Sequence, residues 1–149
     1  MQPNRILPDL QCSLLCEDIR QEVTGNFILI GVVNFIRVPQ LPVTIPRLLF
    51  FNRWAAGLGE FNESVRLIGP DQVTALGECN MKFSLRDPAT HAINVAIFGN
   101  ITLKIPGVHF VEVLVDDVMK IRYPLSVLLA PPAGQTHPPA ENQPPPDAP

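Results

Sequence analysis

The sequence is dominated by short segments in which apolar and polar residues alternate with a period of two. In Glu78–Arg86 the odd-numbered residues are apolar and the even-numbered residues are polar or charged. Such alternation predicts a β-strand with one buried face, because successive side chains of a strand point to opposite sides. Glu60–Ile68 predicts a second such strand. Its residues expected to face inward are Phe61, Val65 and Leu67, whereas Asn62 and Glu63 are not assigned to a side.

Turn-forming residues separate these segments every eight to twelve positions. Thr24-Gly25-Asn26 predicts a tight hairpin, since Gly and Asn both tolerate positive φ angles. Gly69–Gln72 and Asp87–Thr90 each place proline second in a turn, and Asp116-Asp117 predicts a final hairpin. This spacing predicts an all-β fold, namely a β-sandwich of about eight to nine short, mostly antiparallel strands. A closed barrel is the alternative architecture.

Two strand assignments near the N-terminus depend on more than a local pattern. Phe27–Ile36 is rich in β-branched and aromatic residues, which predicts a central strand. Its hairpin partner is expected over about Leu10 to Val23, where the apolar residues of the two halves have opposite parity. A bulge near Glu17-Asp18 would bring both halves onto one face. Arg37–Pro46 contains three prolines and is therefore expected to be a connection or a sheet edge.

The prolines divide the chain into two regions. Of its 17 prolines, eight lie in residues 131–149. We therefore expect one β-sandwich domain at residues 1–130 and a disordered, proline-rich tail at residues 131–149, which is too poor in large apolar residues to fold. The whole chain has a formal charge of 11 − 14 = −3, and without Glu141 and Asp147 this becomes 11 − 12 = −1. The domain lacks the basic charge that nucleic-acid binding requires, so no nucleic-acid partner is expected.

The sequence also predicts the compartment. The longest apolar run is Phe27–Ile36, about half of the roughly twenty residues that a transmembrane helix needs. The first residues lack the apolar stretch of a secretory signal. Cys12, Cys16 and Cys79 are an odd number of cysteines, which favours reduced thiols. We therefore expect a cytoplasmic protein that has no membrane partner.

No residue pattern predicts catalysis, a cofactor or a metal site. His91 and His109 are expected to be partly exposed strand residues rather than catalytic bases. Cys12 and Cys16 are four positions apart, a distance of more than about 10 Å along a strand, which is too far for shared zinc coordination. Asp116-Asp117 supplies too few oxygen ligands for calcium. We therefore expect a non-enzymatic protein without a cofactor.

Two surface features are candidates for an interaction surface. The charged stretch that contains Asp18, Arg20 and Glu22 predicts either an edge strand protected by its charges or a polar recognition surface. Arg53 and Trp54 are residue types that commonly anchor protein interfaces. The alternative for Trp54 is an ordinary packing position in the core.

Four segments combine strand residues with turn residues, namely Cys16–Glu22, Gly25 with Leu29–Val32, Val65–Asp71 and Gly107–Asp117. These segments resemble an uncharacterised bacterial domain-of-unknown-function family. The resemblance covers about Pro8 to Val127 and excludes the tail. It implies a small all-β, sandwich-like bacterial protein, and it supplies no catalytic residues to transfer.

Two functional hypotheses follow. The first is a cytoplasmic protein-interaction or assembly module that acts through its surface, either as a homo-oligomer or as an accessory protein. Low charge and a hydrophobic content of 46% favour association. The alternative is a β-sandwich that binds a carbohydrate or another small molecule around Arg53-Trp54.

Overall fold

The computed structural model describes residues 5–131, and these fold into two packed β-sheets without a helix. This arrangement confirms the all-β sandwich. The four-stranded sheet has the order β2-β1-β4-β7, and the five-stranded sheet has the order β3-β9-β8-β5-β6. The predicted tail lies outside the described residues except for Pro131. The strands are β1 (Asp9–Gln21), β2 (Phe27–Val32), β3 (Phe35–Val38), β4 (Val43–Ala55), β5 (Gly59–Ile68), β6 (Ala75–Leu85), β7 (His91–Leu103), β8 (Gly107–Val115) and β9 (Val118–Leu129).

Neighbouring strands are antiparallel except for β3 and β9, which are parallel. The two predicted hairpins are present. Gly25 has a φ of 97° in the turn between β1 and β2. Asp116 and Asp117 connect β8 to β9 with φ angles of 47° and 64°. Two successive positive φ angles match the twist of a two-residue hairpin, and Asp tolerates this conformation better than most residues.

The core lies between the inner faces of the two sheets. Trp54 and Phe50 on β4 face Phe61 and Leu67 on β5, and all four are buried. Phe50 also packs edge to face against Phe98 of β7, with 5.1 Å between ring centroids. Phe61, Val65 and Leu67 are buried, as their alternation predicts. This continuous apolar layer is the main stabilising feature of the domain.

The prediction of one central strand at Phe27–Ile36 is wrong. The segment forms two edge strands, β2 in the four-stranded sheet and β3 in the five-stranded sheet. The chain changes sheets between them, and the backbone N–H of Val33 donates to the Leu15 carbonyl at 2.8 Å. β-branched composition favours a strand but does not determine where that strand lies in a sheet.

No register shift occurs at the position where a bulge was predicted. The β1–β2 pairing keeps one register from Cys16 to Gln21, and the shift in β1 occurs between Leu10 and Cys12. The irregularity near Glu17 is instead a φ of 64° at Gly31. A Cβ atom on Gly31 would lie 2.7 Å from the Glu17 carboxyl group, so glycine gives that side chain room.

Candidate functional site

The middle of the outer face of the five-stranded sheet is polar. One row across four strands alternates in charge through Arg122, Glu112, Arg66 and Glu78. The Arg66 and Glu78 side chains are 3.4 Å apart, and Arg122 and Glu112 are 4.0 Å apart. The Ser64 hydroxyl and the Asn80 side-chain oxygen are within 2.7 Å of each other. Such a face is well suited to contact with water.

The outer face of the four-stranded sheet has the opposite character. Three strands contribute three rows of side chains to it, and Arg53 is the one charged residue among these nine positions. We call these nine residues the apolar outer face. Antiparallel sandwiches usually place polar residues on the outside, so this face needs another cover. Its rows are Cys12, Arg53, Ile93; Leu14, Phe51, Val95; and Cys16, Leu49, Ile97.

The β1–β2 hairpin supplies part of that cover. Phe27, at the start of β2, packs edge to face against Phe51 with 5.8 Å between ring centroids. Phe51, Leu49 and Cys16 are buried, and burial raises the pKa of the Cys16 thiol. Ile97, on β7, remains 57% exposed. The hairpin therefore covers the middle of the apolar outer face and leaves its β7 side open.

The edge strand β2 presents aliphatic side chains to solvent. Ile28, Ile30 and Val32 are 41%, 39% and 48% exposed, and they alternate along the strand. The six residues of β2 include no charge and no proline. Within residues 5–131, β2 pairs only with β1, so its other edge is open. Exposed edges of this kind pair readily with another chain, and most proteins protect them.

The other three edge strands of the described chain are protected. β3 has four residues, contains Arg37 and leads into a proline-rich connection. β6 contains Glu78 and Lys82. β7 runs alongside β6 at one side of the sandwich, where a Cβ on Gly77 would lie 2.7 Å from the Ile101 side chain. Charge, shortness or a neighbouring strand therefore protects each of these three edges, whereas within the described residues the β2 edge has neither a charge nor a neighbouring strand.

The predicted charged residues lie beside this open edge. Asp18 is opposite Ile30 in the β1–β2 pairing, and Arg20 is opposite Ile28. Arg20 donates to Asp18 at 3.0 Å, and this hydrogen bond is the largest cause that lowers the Asp18 pKa. Glu22 accepts a hydrogen bond from the Thr24 hydroxyl at 3.0 Å in the hairpin turn. The β1–β2 hairpin thus brings Asp18, Arg20 and Glu22 close to the open edge of β2.

Arg53 and Trp54 point to opposite sides of β4. Arg53 is half-buried on the apolar outer face, whereas Trp54 is fully buried in the core. Trp54 stacks on Phe83 with 5.4 Å between ring centroids. The expectation that Trp54 belongs to an interaction surface is therefore corrected. Arg53 and Trp54 are consecutive in a strand, so when Arg53 faces outward Trp54 faces the core. The indole ring presents no face to a ligand arriving from solvent.

The core contains a polar group that the sequence pattern did not predict. Glu63 is fully buried and accepts a hydrogen bond from the Trp54 indole N–H at 2.7 Å. Asn52 and Asn94 are paired across β4 and β7, and both are buried. Burial raises the pKa of Glu63, while Trp54 and the two asparagines lower it by smaller amounts. The sequence does contain a signal for this buried position. Glu63 lies midway between Phe61 and Val65, and alternate residues of a strand point to the same face.

The remaining reactive residues do not converge on one site. His109 is buried, not partly exposed as expected, because it faces inward with its β8 neighbour Val111; its Nδ1 is 3.1 Å from the Gly107 carbonyl oxygen. His91 is exposed at the start of β7. Across residues 5–131, no three His, Cys, Asp or Glu side chains lie close enough together to hold a metal ion. That part of the chain also contains no helix long and apolar enough to cross a membrane.

These features define a small all-β sandwich domain with one open, uncharged strand edge. Comparison with known families identifies its relatives: the chain belongs to DUF6941, a family of unknown function, whose match spans residues 11–128. The resemblance to a domain-of-unknown-function family that was inferred from the sequence is thereby confirmed. A search of curated proteins found no match.

Proposed function

We propose that the domain is a non-enzymatic protein-interaction or assembly module whose binding site is the open edge of β2. One observation supports this proposal above the others. Among the edge strands of residues 5–131, β2 alone combines exposed aliphatic side chains with the absence of a charge, a proline or a neighbouring strand. An open edge of this kind is suited to an extended segment of another protein chain.

In this proposal the partner segment adds a strand to the four-stranded sheet. Its main-chain groups would hydrogen-bond to the outer edge of β2 and provide affinity for any extended peptide. Selectivity would come from side chains next to Ile28 and Ile30, which are aliphatic. Asp18 and Arg20 lie one strand further in and would favour partners with complementary charges.

We further propose that the module acts in a bacterial cytoplasm. Cys12, Cys16 and Cys79 are all free thiols, which supports a reducing compartment. The bacterial assignment rests on the sequence resemblance alone.

Site-specific photo-crosslinking in the source cells tests this function. A photoreactive amino acid replaces Ile30 in the full chain, and Val73 serves as the matched control. Val73 is also an exposed aliphatic residue, and it lies in the turn between β5 and β6. We expect a discrete crosslinked product from position 30 and none of the same mass from position 73. Identical patterns at the two positions, or no product at position 30, would overturn the proposal.

A further inference from the structure

We infer that the strand received by β2 is the β2 strand of a second copy of this chain, paired antiparallel about a two-fold axis at Leu29. This inference rests on the proposed function, because it names the partner of the same edge. The two sheets would then join into one continuous eight-stranded sheet.

The composition of β2 suits pairing with itself. In a two-fold symmetric dimer the same patch occurs on both subunits, so any charge near the axis meets its own copy. β2 has no charged residue from Phe27 to Val32, and no such repulsion arises within the strand pair. Ile28 and Ile30 would each meet another β-branched side chain, which is a favourable cross-strand neighbour.

The charges on β1 select the register. With Leu29 on the axis, Ile30 lies opposite Ile28 of the partner subunit. Asp18 is the cross-strand neighbour of Ile30, and Arg20 is that of Ile28. The two rows that contain Ile28 and Ile30 therefore each have a carboxylate from one subunit at one end and a guanidinium from the other subunit at the other end. The alternative axis at Ile30 gives a row with an aspartate at both ends, so charge complementarity favours Leu29.

The geometry of β2 limits the strength of this dimer. Gly31 has a φ of 64°, which interrupts the regular strand and confines pairing to about Phe27–Ile30. Such a pair buries less than the roughly 1,200 Å² that stable interfaces usually require. We therefore expect a reversible dimer with a dissociation constant in roughly the micromolar range.

Analytical ultracentrifugation of the purified full chain tests the dimer. We expect the average mass to rise from one chain toward two as concentration increases into the hundreds of micromolar. Ile30→Lys places two new positive charges at the joint and is expected to weaken association at least tenfold, whereas Val73→Lys leaves it unchanged. Circular dichroism establishes that both variants are folded. A wild-type chain that stays monomeric throughout would overturn the self-pairing.

Disulfide trapping tests the register. Two tagged variants, Ile28→Cys and Ile30→Cys, are mixed and oxidised, with the wild-type chain as the control for its three native thiols. We expect the mixed disulfide to form in clear excess over either self-disulfide, because directly paired residues lie within disulfide range. Dominant self-disulfide formation by Ile30→Cys would overturn the Leu29 axis. If position 30 instead crosslinks in cells to a different protein and the pure chain is monomeric, self-pairing is overturned while the proposed function stands.

Discussion

Trp54 and Glu63 hydrogen-bond to each other inside the core, across the space between the two sheets. The indole Nε1 of Trp54 lies 2.7 Å from Oε1 of Glu63, and both side chains are fully buried. The other carboxyl oxygen of Glu63 has no hydrogen-bond partner in the described residues. A carboxyl group in this environment is more stable when it is neutral, which is why burial raises its pKa.

The first prediction concerns the pH dependence of stability. The folded-state pKa of Glu63 lies above its ordinary value of 4.5. The contribution of Glu63 to the unfolding free energy is therefore complete below pH 4.5, and it is lost as pH rises through the raised pKa. The Glu63→Gln side chain keeps an oxygen that can accept the hydrogen bond from Trp54, but this side chain cannot ionise. In urea unfolding from pH 4 to 8, Glu63 should lower the unfolding free energy as pH rises above 4.5, and we expect Glu63→Gln to remove this part of the decline.

Glu78→Gln is the control for that experiment, because Glu78 lies on the adjacent strand but is exposed. It should leave the decline in place. If Glu63→Gln and the wild-type chain decline in parallel over the whole range, Glu63 does not ionise in the folded protein as described.

The second prediction concerns Trp54 itself. Trp54→Phe removes the indole donor, so Glu63 loses its one direct hydrogen bond, and the smaller ring leaves a void beside Phe83. We expect a loss of about 2–4 kcal/mol in unfolding free energy. At a pH above the raised pKa of Glu63, the loss should be smaller in the Glu63→Gln background, because a neutral amide suffers less from the missing donor than an ionised carboxylate does. Equal losses in the two backgrounds, measured by denaturant unfolding, would contradict the coupling.

The third prediction concerns Tyr123, the single tyrosine of the chain. Burial raises its pKa to about 12, and its hydroxyl lies 3.1 Å from that of Ser13. Its contribution to stability is complete below pH 10 and is lost as pH rises through about 12. Absorbance titration should place its ionisation near 12, or at the pH of unfolding if that comes first. Ionisation near 10 in a folded chain would contradict the partly buried position of Tyr123.

The hairpins and strand faces were predictable because their signals are local. Gly25 and the Asp116-Asp117 pair determine turns that need positive φ angles, and alternation identifies the inward residues of β5. The sheet to which β2 or β3 belongs depends on partners distant in sequence, so Phe27–Ile36 was misassigned. Its high β-propensity would have suited a central strand equally well.

The candidate site was predictable in part, for the same reason. The charged stretch at Asp18 and Arg20 lies on the hairpin that carries the proposed site, and runs of charge on a strand commonly accompany edges. The sequence does not reveal the exposed aliphatic edge beside this stretch, since isoleucines such as Ile28 and Ile30 are usually core residues. The sequence is compatible with Trp54 on the surface or in the core, because its location depends on the strands that surround β4. The stacking of Trp54 on Phe83 shows that it lies in the core.

The fourth prediction concerns Gly31, where β2 is irregular. Its φ of 64° is accessible to alanine only with strain, and a Cβ would also displace the Glu17 side chain. Gly31→Ala should cost about 1–2 kcal/mol of unfolding free energy. Gly99→Ala is the control, because the nearest atom to its Cβ would be 4.0 Å away. A loss no larger than that of the control would show that β2 tolerates a regular conformation at position 31.

Hydrogen exchange of the β2 amides across a dilution series tests most directly whether this open edge is closed by another strand. In the full chain at high concentration, we expect slower exchange within residues 27–32 than in dilute protein. The β3 amides at residues 35–38 should not change, and Ile30→Lys should abolish the slowing in β2. Exchange in β2 that is equally fast at every concentration would contradict closure of the edge by a second copy.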